Sequence, residues 1–228
     1  LARPQREIQL EHHERQGIAI QMVVDVSSSM DFTIDYQGVS RTRMEVAKQV
    51  LEEFVLGNED DLNGRPDDLV GIITFARYAD TVCPLTLGHD ALVQIARELT
   101  INDRPNEDGT AYGDAAALAA ARMKTLEETL SASGAGDDLE IKSKIIVLLT
   151  DGENNCGQHL PLQAAAMSKE WGIRVYTISL GEKPRENRKN DAPAAITQTE
   201  ALLSQMADMT GGVFQQAYDF DSLCSVYS

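Results

Sequence analysis

Positive charge is scarce in this chain. Its 228 residues carry 20 Lys and Arg against 36 Asp and Glu, a formal net charge of −16 with a pI near 4.6. A nucleic-acid backbone is held by clustered Lys and Arg, so that class of partner is excluded. Docking onto an anionic lipid surface is disfavoured for the same reason. A cationic ligand, or a cation bridging to an acidic one, suits the balance better. Cysteine is scarce too. Cys83, Cys156 and Cys224 form an odd, sparse set, which fits neither a disulfide framework nor a spaced zinc motif. Cys83 and Cys224 read as small buried hydrophobes, and Cys156 as a loop thiol close to a possible site. Long apolar runs are missing. No window reaches the roughly eighteen residues of a transmembrane helix, and no signal peptide is visible. The chain opens on Leu1 rather than Met, so it is expected to be part of a longer protein.

Several chemical signatures are absent as well. There is no GxGxxG after the first strand and no GxxxxGK[ST], the two loops that cradle nucleotide phosphates. No GxSxG elbow marks a serine hydrolase. The histidines are His12, His13, His89 and His159, and none sits in a catalytic frame. His12 and His13, as neighbours on a strand, would point to opposite sides; His159 reads as the rim of a site. The acidic turn with Glu59, Asp60, Asp61 and Asp67 lacks the alternating oxygens and closing Glu of a calcium loop and reads as solvated.

What is present is an alternation of strands and helices. Hydrophobic residues make up 43% and charged residues 25%, the balance of a soluble globular protein large enough for one sizeable core. Apolar, β-branched runs at Ile18–Val26, Leu69–Phe75, Lys144–Thr150 and Arg174–Leu180 suit parallel strands buried on both faces. Tyr78–Leu85 reads as an edge strand ended by Pro84, and Val213–Gln216 as a short last strand. Helical spacing marks Arg43–Leu56, His89–Leu99, Ala111–Leu130, Pro161–Trp171 and Thr197–Met209. A final helix is expected over Asp219–Tyr227, with Asp219 as its cap. Asp31–Thr42 reads as a polar loop, Ser131–Asp138 as a flexible linker, and Glu182–Pro193 as a mobile basic loop. The division expected is a lead-in over 1–17, with a short edge strand near Ile8, and a single domain over 18–228. The class is α/β: a doubly wound, mostly parallel central sheet with helices on both faces.

The chain is organised around Ile18–Met30, IAIQMVVDVSSSM. The strand ends in Asp25, Ser27 and Ser29, oxygen-bearing side chains at alternate positions. Carboxylate and hydroxyl oxygens suit a hard cation such as Mg²⁺. The plainer reading is a strand running into a Ser-rich helix cap. Two further stretches favour the metal: DGTAYGD, carrying Thr110 and leading into an Ala-rich helix, and KIIVLLTDG, ending in Thr150 and Asp151. Doubly wound sheets bind ligands beyond the carboxyl ends of their strands. Asp25, Ser27, Ser29, Thr110 and Asp151 would gather there. Asp25 is expected at the strand end, outside the core, so that its replacement leaves the fold intact.

DxSxS, then Thr, then Asp after an apolar strand resembles the von Willebrand factor A (VWA) domain and its metal-ion-dependent adhesion site (MIDAS). The resemblance implies a Rossmann-like sheet of about six strands and a protein-binding module that captures an acidic group through bound Mg²⁺ (or Mn²⁺). LARPQ, ARYADTVCPLTLGHDAL, EDGTAYGDA, KSKIIVLLTDGENNCG and WGIRVYTISLGE resemble the bacterial aerotolerance-type (Bat) branch. That branch implies a membrane-anchored protein, its VWA domain on the periplasmic side. It also implies a partner presenting Asp or Glu, with MoxR-type AAA+ ATPases and other VWA proteins among its associates. An enzyme-class alternative remains: a Mg²⁺-dependent phosphotransferase or hydrolase with Asp25 at its active site. Phosphotransferases of that kind show Asp-x-Asp where this chain has Asp25-Val26-Ser27. Hydroxyl-rich coordination also favours capture over hydrolysis, which needs a positioned base.

Overall fold

The computed structural model describes residues 15–57, 64–104, 106–133, 139–181 and 197–217. Eight strands and five helices follow in chain order. They are β1 (Arg15–Asp25), β2 (Thr33–Tyr36), β3 (Val39–Thr42), α1 (Arg43–Leu56), β4 (Leu69–Phe75), β5 (Ala79–Thr86) and α2 (His89–Arg97). After these come α3 (Tyr112–Ser133), β6 (Leu139–Thr150), α4 (Pro161–Glu170), β7 (Ile173–Ser179), α5 (Gln198–Thr210) and β8 (Phe214–Gln216).

Six strands make one sheet in the order β5-β4-β1-β6-β7-β8. All neighbours are parallel except β4 and β5. From β1 at mid-sheet the chain winds outward to β5, then crosses back to β6. The two halves part between β1 and β6, and a doubly wound sheet opens its ligand crevice at that point. β1, β4, β6 and β7 are central and parallel, as their unbroken apolar runs predict.

Two apolar layers cover the sheet. Ile20, Met22 and Val24 of β1 face α1 and α2, meeting Val46, Val50, Phe54, Leu92 and Val93. Ala19 and Val23 face the other way, onto α3, α4 and α5, through Ala116, Ala120, Met123, Ala164 and Leu203. Every second residue of a strand turns to the same face, so a strand apolar at both parities is covered on both sides. The alanines of α3 leave no bulk between helix and sheet, which lets that helix lie close.

Three stretches depart from the sequence reading. β1 begins at Arg15 and β6 at Leu139, pairing Arg15 with Leu139 and Gly17 with Ile141 across a register shift at Gly17/Ile18. These extensions carry polar residues and so lack the apolar signal of a buried strand. α3 continues to Ser133, into the stretch expected as a linker. Asp31–Thr42 is mostly not a loop. After a 3-10 turn at Ser28–Asp31 it forms the β2–β3 hairpin. Gln37 and Gly38 both hold positive φ, 53° and 77°, the mirror-image turn that matches strand twist. Ile34 and Tyr36 bury one face of the hairpin. The short strand near Ile8, the basic loop, the helix over Asp219–Tyr227, Cys224, His12, His13, Glu59, Asp60 and Asp61 lie outside the described residues.

Candidate metal centre

β1 delivers Asp25 to the carboxyl edge of the sheet and β6 delivers Thr150 and Asp151 beside it. The Asp25 carboxylate is fully buried. Its Oδ1 accepts the Ser27 N–H at 2.9 Å and its Oδ2 accepts the Thr150 hydroxyl at 2.7 Å. Among the described residues no basic side chain lies against it. Burial pushes its pKa up to about 6, against the donated hydrogen bonds of Ser27 and Thr150, and the nearby Asp151 charge pushes the same way as burial. The expected position at the strand end holds; the expected position outside the core does not. β6 and the turn after β1 close over the carboxylate.

The hydroxyls line up next to it. Ser27 Oγ lies 3.1 Å from Ser29 Oγ, and Ser29 Oγ donates to Asp151 Oδ1 at 2.7 Å. The 3-10 turn Ser28–Asp31 makes this possible by curling the chain so that both side chains face β6. Ser28, between them, turns outward and donates from its Oγ and N–H to Asp108 at 2.8 and 3.2 Å. That tie holds the Asp108–Thr110 loop against the turn, and the Ser28 donors lower the Asp108 pKa.

Thr110 arrives from the opposite side. A Cβ built on Gly152 would meet Thr110 Oγ1 at 3.3 Å, so the hydroxyl sits against the residue following Asp151. Asn155 clasps Thr110 twice, its Oδ1 accepting the Thr110 N–H at 2.9 Å and its N–H donating to the Thr110 carbonyl at 3.0 Å. Gly109 precedes it with φ +143°, backbone that a side chain would strain. Gly113 permits the loop after β6 to close, because a Cβ there would lie 2.1 Å from the His159 carbonyl oxygen.

All five residues read from the sequence thus stand on one edge. Asp25, Ser27, Ser29 and Asp151 form a connected chain of polar contacts or share its strands, and Thr110 faces them across Gly152. His159 stays on the rim, its Nδ1 2.8 Å from Asp114 Oδ1. His89 contacts the Asp68 carbonyl. Cys83 is buried, as expected, and Cys156 is half-buried beside Gly109.

Three residues were not legible as part of this edge. Thr150 looks like one more β-branched strand residue. Asn155 carries no spacing signal. Arg43 had one: it opens α1, where the helix dipole disfavours a cation. Its Nη1 reaches Asp151 Oδ2 at 2.5 Å and the Ser29 carbonyl at 3.3 Å, and the guanidinium lies 5.6 Å from the Phe32 ring centroid.

The donor set fits a hard divalent ion. A buried carboxylate without a counter-charge stands beside hydroxyls and a second carboxylate, and oxygen is the donor such ions take. Among the described residues no group of three or more His, Cys, Asp and Glu side chains is gathered for a metal, so a softer, zinc-finger-like cage has no counterpart here.

A von Willebrand factor type A domain family model matches residues 20–153. The chain belongs to that family. The matched span takes in Asp25, Ser27, Ser29, Thr110 and Asp151. The VWA chain is 24% identical over 215 residues to an uncharacterized protein of Borreliella burgdorferi, covering 91% of this chain and 56% of that one. It therefore spans little more than half the length of that relative. Among solved structures it is similar to an aerotolerance-related membrane protein from Bacteroides fragilis NCTC 9343, crystallised with multiple mutations to serines. The identity is 25% and the TM-score 0.65, over 92% of this chain and 96% of that one. It also shares its fold with proximal thread matrix protein 1 of the mussel byssus, solved with a zinc-occupied MIDAS motif. There the identity is 19% and the TM-score 0.55, over 94% of this chain and 46% of that protein. Among the described residues no helix is long and apolar enough to cross a membrane.

Proposed function

We propose that this VWA domain is a metal-dependent protein-binding module. Asp25, Ser27, Ser29, Thr110 and Asp151 would hold Mg²⁺ or Mn²⁺ and present it to an acidic group of a protein partner. The observation that carries the reading is the buried Asp25 carboxylate, which has hydrogen-bond donors but, among the described residues, no positive charge against it. A buried unpaired carboxylate is costly, and a cation at the adjoining hydroxyls removes that cost. When bound, the ion would supply the local positive charge that an acidic partner needs on a chain of net charge −16. The zinc-occupied MIDAS motif of the mussel protein, which shares this fold, supports a divalent ion.

Capture suits the residues better than catalysis. Asp25 is buried and both its oxygens accept hydrogen bonds, which suits holding an ion through water better than direct attack on a phosphoryl group. The histidine at the rim is paired with Asp114. The likeness to an aerotolerance-related membrane protein supports a module tethered to a membrane by segments outside this chain; we place it on the periplasmic side as part of this proposal. A MoxR-type AAA+ ATPase or another VWA protein is the partner class to examine first. A pull-down from native membranes tests the reading. Acidic partners should be retained with Mg²⁺ and lost with EDTA or with Asp25→Ala; retention independent of both contradicts it.

A further inference from the structure

The Asp151 carboxylate is shared between two unlike neighbours. Oδ1 accepts the Ser29 hydroxyl, within the cluster proposed to hold the ion, and Oδ2 accepts Arg43 Nη1. The guanidinium is not a wandering surface charge. Its side chain is only 15% exposed, against 0% for Asp151. It is fixed from three directions by Asp151, the Ser29 carbonyl and the exposed face of Phe32. The Arg43 N–H donates to the Phe32 carbonyl at 2.9 Å, which pins the start of α1 beside the site.

We propose that Arg43 is the charge regulator of this centre, a deepening that rests on the metal-binding reading above. The two carboxylates among the five proposed ligands, Asp25 and Asp151, carry a charge of minus two, and Arg43 brings that set to minus one. A dication then leaves the set at plus one, where without Arg43 it would be neutral. Arg43 sits on the outer oxygen of Asp151, so the inner oxygen, which accepts the Ser29 hydroxyl, remains on the side of the proposed ion. It therefore trades affinity for the cation against attraction for the acidic partner. A unit charge held next to a ligand carboxylate acts over a few ångströms through partly solvated protein, which is worth about tenfold in a binding constant. Only one nitrogen, Nη1, makes both polar contacts, so a lysine ammonium can reproduce the effect.

The test is a titration of Mn²⁺ alone into the wild-type protein, Arg43→Gln, Arg43→Lys and Phe32→Ala, at constant ionic strength. Proton relaxation of acetate by protein-bound Mn²⁺ reports carboxylate capture. Arg43→Gln should bind Mn²⁺ about tenfold more tightly and hold acetate less well. Arg43→Lys should behave as wild type. Phe32→Ala alters a 64% exposed ring and touches no ligand. By freeing the guanidinium it should tighten Mn²⁺ binding in the same direction but by less, which keeps the test alive if Arg43→Gln folds poorly. Mn²⁺ affinity that falls or stays unchanged in both variants overturns the role of Arg43 while the metal centre stands. A wild-type protein that takes up no Mn²⁺ overturns the metal centre itself.

Discussion

The Thr150 hydroxyl, at the end of β6, donates to Asp25 Oδ2 at the end of β1 at 2.7 Å. This bond crosses the point where the two halves of the sheet diverge. It is one of the interactions that keep a fully buried carboxylate tolerable in the absence of a cation. Thr150→Val keeps the shape and removes the donor. A hydrogen bond to a charged group is worth about 1.5–3 kcal/mol. Denaturant unfolding should show a loss of about 2 kcal/mol at pH 8, where Asp25 is ionised, and a smaller loss at pH 4, where it holds its proton.

Asp25 also sets a pH dependence on the metal-free protein. Its pKa is about 6 when folded and near 3.8 for an unperturbed aspartate. The folded state thus holds the proton more tightly. That contribution to stability is fully present below about pH 4 and is lost as pH rises to about 6, a gap worth roughly 3 kcal/mol. Urea unfolding in EDTA should show this decline, and Asp25→Asn should flatten it.

Metal should reverse the cost. At a hundredfold excess over its dissociation constant, Mn²⁺ should stabilise the folded chain by about 2.7 kcal/mol. For a chain of this size that raises the melting temperature by about 5–10 °C. A thermal scan with and without EDTA reads the difference, and Asp25→Ala should show none.

Gly113 is expected to tolerate no side chain. A methyl there would lie 2.1 Å from the His159 carbonyl oxygen, and overpacking of this kind costs about 1–3 kcal/mol. Gly113→Ala should lower the melting temperature. It should also weaken Mn²⁺ binding, because the displaced loop carries Asn155, which clasps Thr110.

Much of this architecture could be read from the residues because two signals coincide. β1, β4, β6 and β7 are apolar at both parities, which is the mark of a strand covered on two faces. Asp25, Ser27, Ser29 and Asp151 interrupt that pattern at strand ends, where polar side chains stand out. Thr110 stood out only through its Gly-bearing turn and the family pattern. The hairpin leaves little trace in the sequence because TIDY and VSRT are four residues each and only Ile34 and Tyr36 carry the alternation. Arg43 and Asn155 act through contacts with residues far along the chain, and no periodicity records such contacts. The burial of Asp25 is not legible because a strand end is open in sequence and closed in space by its neighbours.

Calorimetric titration of Mg²⁺ and Mn²⁺ into the wild-type domain, Asp25→Ala and Thr110→Ala tests the central claim most directly. The wild type should take up one ion per chain. Asp25→Ala should take up none while keeping its circular dichroism spectrum, and Thr110→Ala, which loses one neutral ligand, should fall between them. Equal affinity in the wild type and Asp25→Ala would contradict the assignment of the site, and with it the reading of this domain as a metal-dependent binding module.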